Sequence, residues 1–512
     1  MADLKRDLID QGMELRETHI SQVFLGAESV FKVKKPVALG FVDFSTLELR
    51  KHFCEQEVTL NRRLAPSVYR GVVPIAIDAS GKHRIRAAGL PVEWAVEMRR
   101  LRDGDAADRR LQEGRLGRAE LAGLAEQLAR FHASARCDET TAHYGSTALI
   151  EANVRENFDQ TRESAARFLG VSELAAVERW QFGFLREHAA RFEARVRDGR
   201  IRDGHGDLRL EHCYLDGDGG TEIIDCIEFN ERFRYGDVCA DVAFLAMDLD
   251  WHERHDLSEG FLADYARAAD DYDLYGVVDF YQSYRAYVRG KVSSMLEADA
   301  STGFRVHERA AAEARKYYAL AAACTREPLS RPALYAVGGV IASGKSTLAT
   351  QLAAAVNAPV IESDRTRKHL AGVDPLTPLS DAAFTRHYDE RMTASVYAEL
   401  LRRAETVLRS GRPVILDASF RDREQRAAVL DLARRCDVRF LFIECVVPPE
   451  VSRARLAARA RGPSVSDGRI EVFEAFISSF QPVDELPEGK HVVVDTSRPL
   501  HETRARIAEW IG

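Results

Sequence analysis

Gly339 and Gly344 frame the stretch GVIASGKS, in which Lys345 and Ser346 follow the second glycine directly, giving the spacing G-x-x-x-x-G-K-S. An apolar run over 334–337 precedes this stretch, and a segment with Leu348, Leu352 and Val356 on one helical face follows it. A strand that turns into a helix through glycines presents a row of backbone N–H groups and the positive end of a helix dipole, and both attract phosphate oxygens. Gly339, Ser343, Gly344 and Thr347 are expected to line such a loop. Lys345 would reach the outer phosphates, and Ser346 would place its hydroxyl on Mg²⁺.

Two acids stand where chemistry on that phosphate would need them. Asp417 ends the apolar run 414–416, a position suited to the Mg²⁺ shell. Asp364 follows the strand-like 359–361 and could accept a hydroxyl proton from an acceptor, with Arg367 three residues on facing the same molecule. Arg453, Arg455, Arg459 and Arg461 cluster after the apolar stretch 438–447. Transferring a phosphoryl group needs positive charge over its oxygens, and a mobile arginine-bearing segment would supply it; Arg453 and Arg459 are the candidates. Each residue also has a plain structural alternative: a helix cap for Asp364 and Asp417, a solvated helix face for the arginines.

A second set lies far upstream. His205-Gly206-Asp207 precedes a short strand, 222–224, that ends in Asp225. One carboxylate beside an acceptor hydroxyl and one on a metal ion make a phosphotransfer pair, and Asp207 and Asp225 fit those roles. Lys32 and Lys34 share one face of a period-2 strand, so either could meet phosphate. Glu57 falls on the helical stripe of Phe53, Leu60 and Leu64, where a carboxylate needs a cation. Glu97-Met98 ends a strand-like run and is placed to meet a nucleotide base through backbone atoms.

These residues require particular elements around them. Beyond a polar, proline-bearing stretch at 322–332, apolar runs at 334–337, 359–361, 413–416, 438–447 and 491–494 alternate with helical patterns, and Met392, Val396, Leu400, Ala404 and Leu408 share one stripe. Such alternation implies a parallel sheet with helices on both faces. Before the linker, strands at 18–25, 29–35, 71–78 and 91–98 surround a helix at 46–64. Helical periodicity then runs from about 113 to 323, interrupted by a loop-and-strand island at 201–230. The expected division is therefore 1–326, with a small lobe to about residue 98 and a large lobe from 99, and 327–512. A length of 512 residues suits more than one core. The net charge of −8 argues against a broad nucleic-acid-binding surface. The eight cysteines have no C-x-x-C spacing, which excludes the usual zinc patterns and suits a reducing compartment. MADLKRDLIDQG has no apolar leader, and no stretch is apolar enough to span a bilayer, so a cytoplasmic protein is expected.

The segments GGVIASGKSTLA, VIESDRTRKHLAG and GRPVILDASF resemble P-loop kinases of the AAA-like, zeta-toxin-like and polynucleotide-kinase-like kind, over about 330–512. HGDLRLEH with IIDCIEFNERFRYGDVCADVAF resembles aminoglycoside phosphotransferases and choline-kinase-like enzymes. ETHISQVFLGAESVFKVKKPV and HFCEQEVTLNRRLAP are similar to their small lobe. The combination resembles bifunctional aminoglycoside phosphotransferase/ATP-binding proteins. The resemblance implies a bilobal protein-kinase-like fold followed by a P-loop kinase. It also implies Asp207 as catalytic base, Asp225 as metal ligand, Lys32 on the ATP phosphates and Glu57 holding that lysine. It marks one departure: His212 stands where such enzymes carry an Asn as second metal ligand, and Mg²⁺ prefers oxygen donors to imidazole.

The expectation is a two-domain phosphotransferase that uses ATP or GTP with Mg²⁺ and a small hydroxyl-bearing acceptor. The alternatives are a C-terminal kinase regulated by an N-terminal pseudokinase, a zeta-toxin or polynucleotide-kinase activity, and a nucleotide-driven switch. Acceptor, nucleotide preference and oligomeric state are not written in the chain.

Overall fold

The structure is a computed structural model. It describes residues 2–40, 42–215, 220–299, 303–325, 332–377, 388–459, 473–498, 506, 507, 509 and 510. It divides into two compact units: Met1–Leu257 with Phe280–Thr325, and Ser258–Asp279 with Arg326–Gly512. Residues 258–279 thus leave the chain of the first unit and fold into the second.

The first unit opens with helix α1 (Ala2–Ile9) and an antiparallel sheet of β1 (Glu14–Glu17), β2 (Ser21–Leu25), β3 (Ser29–Lys34), β4 (Tyr69–Ile77), β5 (His83–Ile85) and β6 (Glu93–Arg99). The strands lie in the order β1-β2-β3-β6-β4-β5. Helix α2 (Leu47–Asn61) starts at Thr46, whose hydroxyl accepts from Leu49 N at 3.2 Å, a side-chain N-cap. Successive side chains of β3 point to opposite faces. Val33 packs with Leu4, Leu8 and Phe24 beneath α1, while Val30 packs with Cys54 and Val58 of α2. Lys32 and Lys34 share parity with Val30, so both face α2. Glu97 and Met98 lie inside β6 and pair with Phe31 and Val30, and the strand ends only at Arg99.

The large lobe is mainly helical: α3 (Arg118–Ser134), α4 (Thr147–Leu169), α5 (Val238–Trp251), most of α7 (Val278–Ala298, after the intervening α6, His255–Ala268) and α8 (Phe304–Ala323). Short antiparallel pairs interrupt it: β7 (Ile201–Asp203) with β10 (Tyr235–Asp237), and β8 (Cys213–Leu215) with β9 (Thr221–Ile223). β7, β8 and β9 fall in the expected loop-and-strand island and β10 just beyond it, and Asp207 and Asp225 lie in the loops that follow β7 and β9.

The second unit is built on five parallel strands in the order β12-β13-β11-β14-β15: β11 (Ala333–Gly339), β12 (Val360–Glu362), β13 (Val414–Asp417), β14 (Arg439–Val446) and β15 (His491–Asp495). Every residue of β11 is buried, as befits a central strand covered on both faces. The helices are α9 (Lys345–Val356), α10 (Ser363–Leu370), α11 (Glu390–Arg409), α12 (Arg423–Arg435) and α13 (Pro449–Arg459). Leu348 and Leu352 of α9 pack on Tyr335, Val337, Ile415 and Ile443. The strands meet the sequence reading closely, and the fold is the mixed α/β pair of domains that it implied.

Two candidate phosphotransfer sites

In the second unit β11 turns into α9 through the glycine loop. Gly344 has φ +88, and a Cβ there would meet Thr496 Oγ1 at 2.9 Å, so the position needs glycine. Ala342 holds φ +59 without that freedom. Lys345 Nζ donates to Val340 O at 2.8 Å, which keeps the ammonium over the loop. Ser343 Oγ is buried with no hydrogen-bond partner, an orphaned hydroxyl inside a loop whose backbone is shaped for an anion. Thr347 is exposed one residue further along α9.

Asp417 pairs in register with Val337 of β11 and Glu362 of β12, so its carboxylate emerges beside the loop. Ser346 lies close enough to draw the Asp417 carboxyl down. Burial pushes its carboxyl up to about 6; Glu362 and Asp364 add to that, against Lys345 and Ser346. Asp364 lies in the first turn of α10, half-buried. Arg367 is buried nearby, with its guanidinium 4.3 Å from the Tyr388 ring centre and Nη1 3.4 Å from Thr393 Oγ1.

The arginine against the loop is Arg455. Its Nη1 donates to Ala342 O at 3.2 Å and its Nη2 to Thr496 O at 2.7 Å. Thr496, just past β15, also donates its hydroxyl to Ser343 O. Arg453 is exposed and pairs with Glu474 at 2.5 Å. The side chain of Arg459, like Arg461, lies outside the described residues. Sequence spacing alone does not rank Arg453, Arg455 and Arg459, all three of which fall on α13. Only the helix phase relative to the loop separates Arg455 from its neighbours.

In the first unit Lys32 Nζ lies 2.6 Å from Asp225 Oδ1 and 2.9 Å from Glu57 Oε1. Lys34 Nζ donates to Glu57 Oε2 at 2.8 Å and also to Glu228. Two lysines thus share Glu57, and each has a second acid of its own. Burial alone would raise the Glu57 carboxyl, but Lys32 and Lys34 outweigh it and hold it below its ordinary value. Lys34 is fully buried, whereas Lys32 keeps some exposure beside Asp225, so Lys32 is the lysine open to a phosphate. Asp225 has φ +64, a left-handed turn that aims its carboxylate back toward Lys32.

The H-G-D turn is held from beneath. Asp241 accepts from His205 N at 2.6 Å and Gly206 N at 2.9 Å. Gly206 has φ +87, and a Cβ there would meet Phe233 O at 2.7 Å. His205 Nε2 lies 3.0 Å from Ile224 O, and burial pushes its imidazole down to about 4, so it is a neutral strut. Arg63 donates to Asp203 O and Gly204 O, both at 2.9 Å. Asp237 instead binds Arg195 at 2.6 Å.

Arg209 was not singled out by the sequence. It grips both oxygens of Asp207, each at 3.0 Å. Burial would raise the Asp207 carboxyl, but Arg209, His212 and Arg289 drive it far down. His212 Nδ1 lies 2.8 Å from Asp207 O, a carbonyl that can only accept, so this nitrogen carries the proton. Its Nε2 lies 3.4 Å from Arg209 Nη2 and 3.7 Å from Asp225 Oδ2.

The two donor sets suit a Mg²⁺-bound triphosphate unequally. Ser346 and Asp417 offer oxygen beside a lysine and an orphaned loop hydroxyl, and they fit. Upstream, Asp225 fits, but His212 offers a nitrogen already engaged by Arg209 and does not. Among the described residues no group of three or more His, Cys, Asp or Glu side chains could hold a metal ion alone. A metal at either site would therefore need water or phosphate oxygens to complete its shell. All eight cysteines are free thiols, and no helix among the described residues is long and apolar enough to cross a membrane.

Comparison with known proteins matches the two parts of the chain to different families. Residues 48–281 match the phosphotransferase enzyme family, and residues 334–483 match the AAA domain family. The chain is 34% identical over 458 residues to uncharacterized proteins of Mycobacterium tuberculosis and Mycobacterium bovis, covering 90% of this chain and 88% of theirs. Among solved structures, it is similar to a choline/ethanolamine kinase family protein from Mesorhizobium loti (11% identity, 61% of this chain and 92% of that one, TM-score 0.35). It is also similar to a gluconokinase from Sinorhizobium meliloti (24% identity, 36% and 97%, TM-score 0.25).

Proposed function

The chain belongs to the family of these mycobacterial proteins, a phosphotransferase-family domain joined to a P-loop kinase-like domain, and from that premise we propose that it moves the γ-phosphoryl group of Mg-ATP to hydroxyl groups of small molecules. The observation that carries this reading is Asp417 at the end of β13, in register with Val337 of the strand that enters the glycine loop, with Ser346 and Lys345 close enough to act on its carboxyl. These three residues bring a hydroxyl, a carboxylate and an ammonium to the mouth of a loop of backbone donors. Mg²⁺, when bound, neutralises phosphate charge there. Lys345 would hold the outer phosphates. Asp364, two residues past β12, would orient and deprotonate an acceptor hydroxyl, and Arg455 would keep the loop in its strained form.

The first unit supports the same chemistry less completely. Lys32 and Asp225 supply a phosphate cation and a metal carboxylate. Asp207, gripped by Arg209, is a weak base that would orient a hydroxyl better than it would take its proton. This pairing, with the engaged Nε2 of His212, favours a second reading in which the first unit binds nucleotide and regulates the P-loop unit. Incubation of the full chain with γ-labelled ATP and a panel of sugars, amino sugars and nucleosides, in Asp207→Ala and Lys345→Ala variants, separates the two. Loss of every labelled product in Lys345→Ala alone favours the regulatory reading. Absence of any labelled acceptor in the parent chain refutes the proposal.

A further inference from the structure

Residues 258–279 lie wholly within the stretch that matches the phosphotransferase family, yet they pack inside the P-loop unit. They grip its sheet at β12 and its helices α10 and α11. Tyr272 Oη donates to Val360 O of β12 at 2.7 Å. Asp270 binds Arg403 of α11 at 2.6 Å and lies 2.8 Å from His369 of α10. Arg412 reaches back to Glu259 at 2.7 Å and Asp279 at 2.8 Å.

One contact touches the chemistry. Arg267 Nε donates to Glu362 Oε2 at 2.9 Å and its Nη2 to Oε1 at 3.2 Å. Glu362 is the last residue of β12 and the register partner of Asp417. Paired residues of neighbouring parallel strands point to the same face, so the two carboxylates stand side by side where the strands end. Asp364 follows two residues on. Three acids therefore converge next to Lys345, at a place where a highly charged triphosphate would have to approach. Besides Arg267, Arg365 lies near Glu362, with Nε 3.0 Å from Oε2.

We infer that Arg267 is a positioning residue of the P-loop site: by holding both oxygens of Glu362 it turns that carboxylate aside, leaves Asp417 as the acid facing the cation, and removes one negative charge from the path of the triphosphate. The inference rests on the nucleotide reading of this site. It also means that the site takes a residue from a part of the chain more than sixty positions ahead of its own glycine loop.

Calorimetry of the full chain with ATP and Mg²⁺ tests it, the relevant binding event being the one that Lys345→Ala abolishes. Arg267→Met is expected to weaken that event up to about tenfold, because Glu362 then keeps only Arg365 against one of its two oxygens. Arg267→Met with Glu362→Gln is expected to return to within about threefold of the parent, because the charge that Arg267 answers is gone. Glu362→Gln alone, a near-isosteric change, is expected to stay within about threefold. Unchanged binding in Arg267→Met overturns the inference. So does a double variant as weak as the single one, which would make Arg267 only a strut for the fold. Should Arg267→Met fail to fold by circular dichroism, Glu362→Gln decides: a tenfold loss would place Glu362 itself on the cation and overturn the inference. Absence of the Lys345-dependent event in the parent chain would refute the functional reading as well, whereas its presence with an unmoved Arg267→Met refutes this inference alone.

Discussion

Arg209 Nε and Nη2 each lie 3.0 Å from a different oxygen of Asp207, so the acid expected to serve as a base is clamped on both sides. A carboxylate held this way is ionised throughout the physiological range and has little drive to take a proton. Arg209→Met is expected to raise the Asp207 carboxyl toward its ordinary value and, if the first unit transfers phosphoryl groups, to shift the acid limb of that activity to higher pH. A pH–rate profile of Lys345→Ala, in which only the upstream site can act, checks this.

The two lysines facing α2 should fail differently. Lys32→Met is expected to weaken upstream nucleotide binding while leaving the fold intact. Lys34→Met leaves Glu57 and Glu228 buried with one cation fewer, and breaking such a pair typically costs about 3–5 kcal/mol. Urea unfolding should therefore separate Lys34→Met from Lys32→Met. Adding Glu228→Gln should recover part of the loss.

Arg455 and Arg453 make a second contrast, within one helix. Arg455→Ala removes donors from Ala342 O and Thr496 O and should reduce Lys345-dependent ATP affinity about tenfold, since a hydrogen bond to a charged group is worth roughly 1.5–3 kcal/mol. Arg453→Ala, which loses an exposed pair with Glu474 and a contact 5.5 Å from the Phe473 ring centre, should bind ATP as the parent does. Titration calorimetry on both variants measures the difference.

Asp417 and His205 give the two units pH responses of opposite sign. The Asp417 carboxyl sits at about 6 against an ordinary 3.8, so between those values the folded state holds a proton that the unfolded state releases. Its contribution to stability grows as pH falls from about 6 to 4, and is lost as pH rises through 6. His205 sits at about 4 against 6.5, so the unfolded state binds the extra proton, and its contribution is lost as pH falls through that window. Asp417→Asn should flatten the first response, and should remove the growth of Mg-ATP protection between pH 5 and 7.5. Thermal unfolding with and without Mg-ATP reads both.

Much of this was legible before any coordinates. The glycine loop is a local motif whose strand and helix are its immediate neighbours, and the five strands of the P-loop unit are continuous apolar runs that admit few other readings. The shared face of Lys32 and Lys34 follows from a period of two. What escaped were pairings across long stretches of chain. Glu228 as partner of Lys34 and Arg209 as clamp of Asp207 depend on how loops fold back, and Arg455 rather than Arg453 depends on helix phase. Residues 258–279 carry an ordinary helical pattern, and nothing local distinguishes a helix that packs on its sequence neighbours from one that packs elsewhere.

That excursion of the chain has a consequence for synthesis. Asp270 is separated by 133 residues from Arg403, the side chain it binds. On the ribosome it emerges long before α11 exists, while the first unit around it can already condense. Tyr272 and Tyr275, both buried in the finished protein, must stay exposed through that interval. Nascent chains halted before residue 400 are therefore expected to expose apolar surface that the complete protein covers.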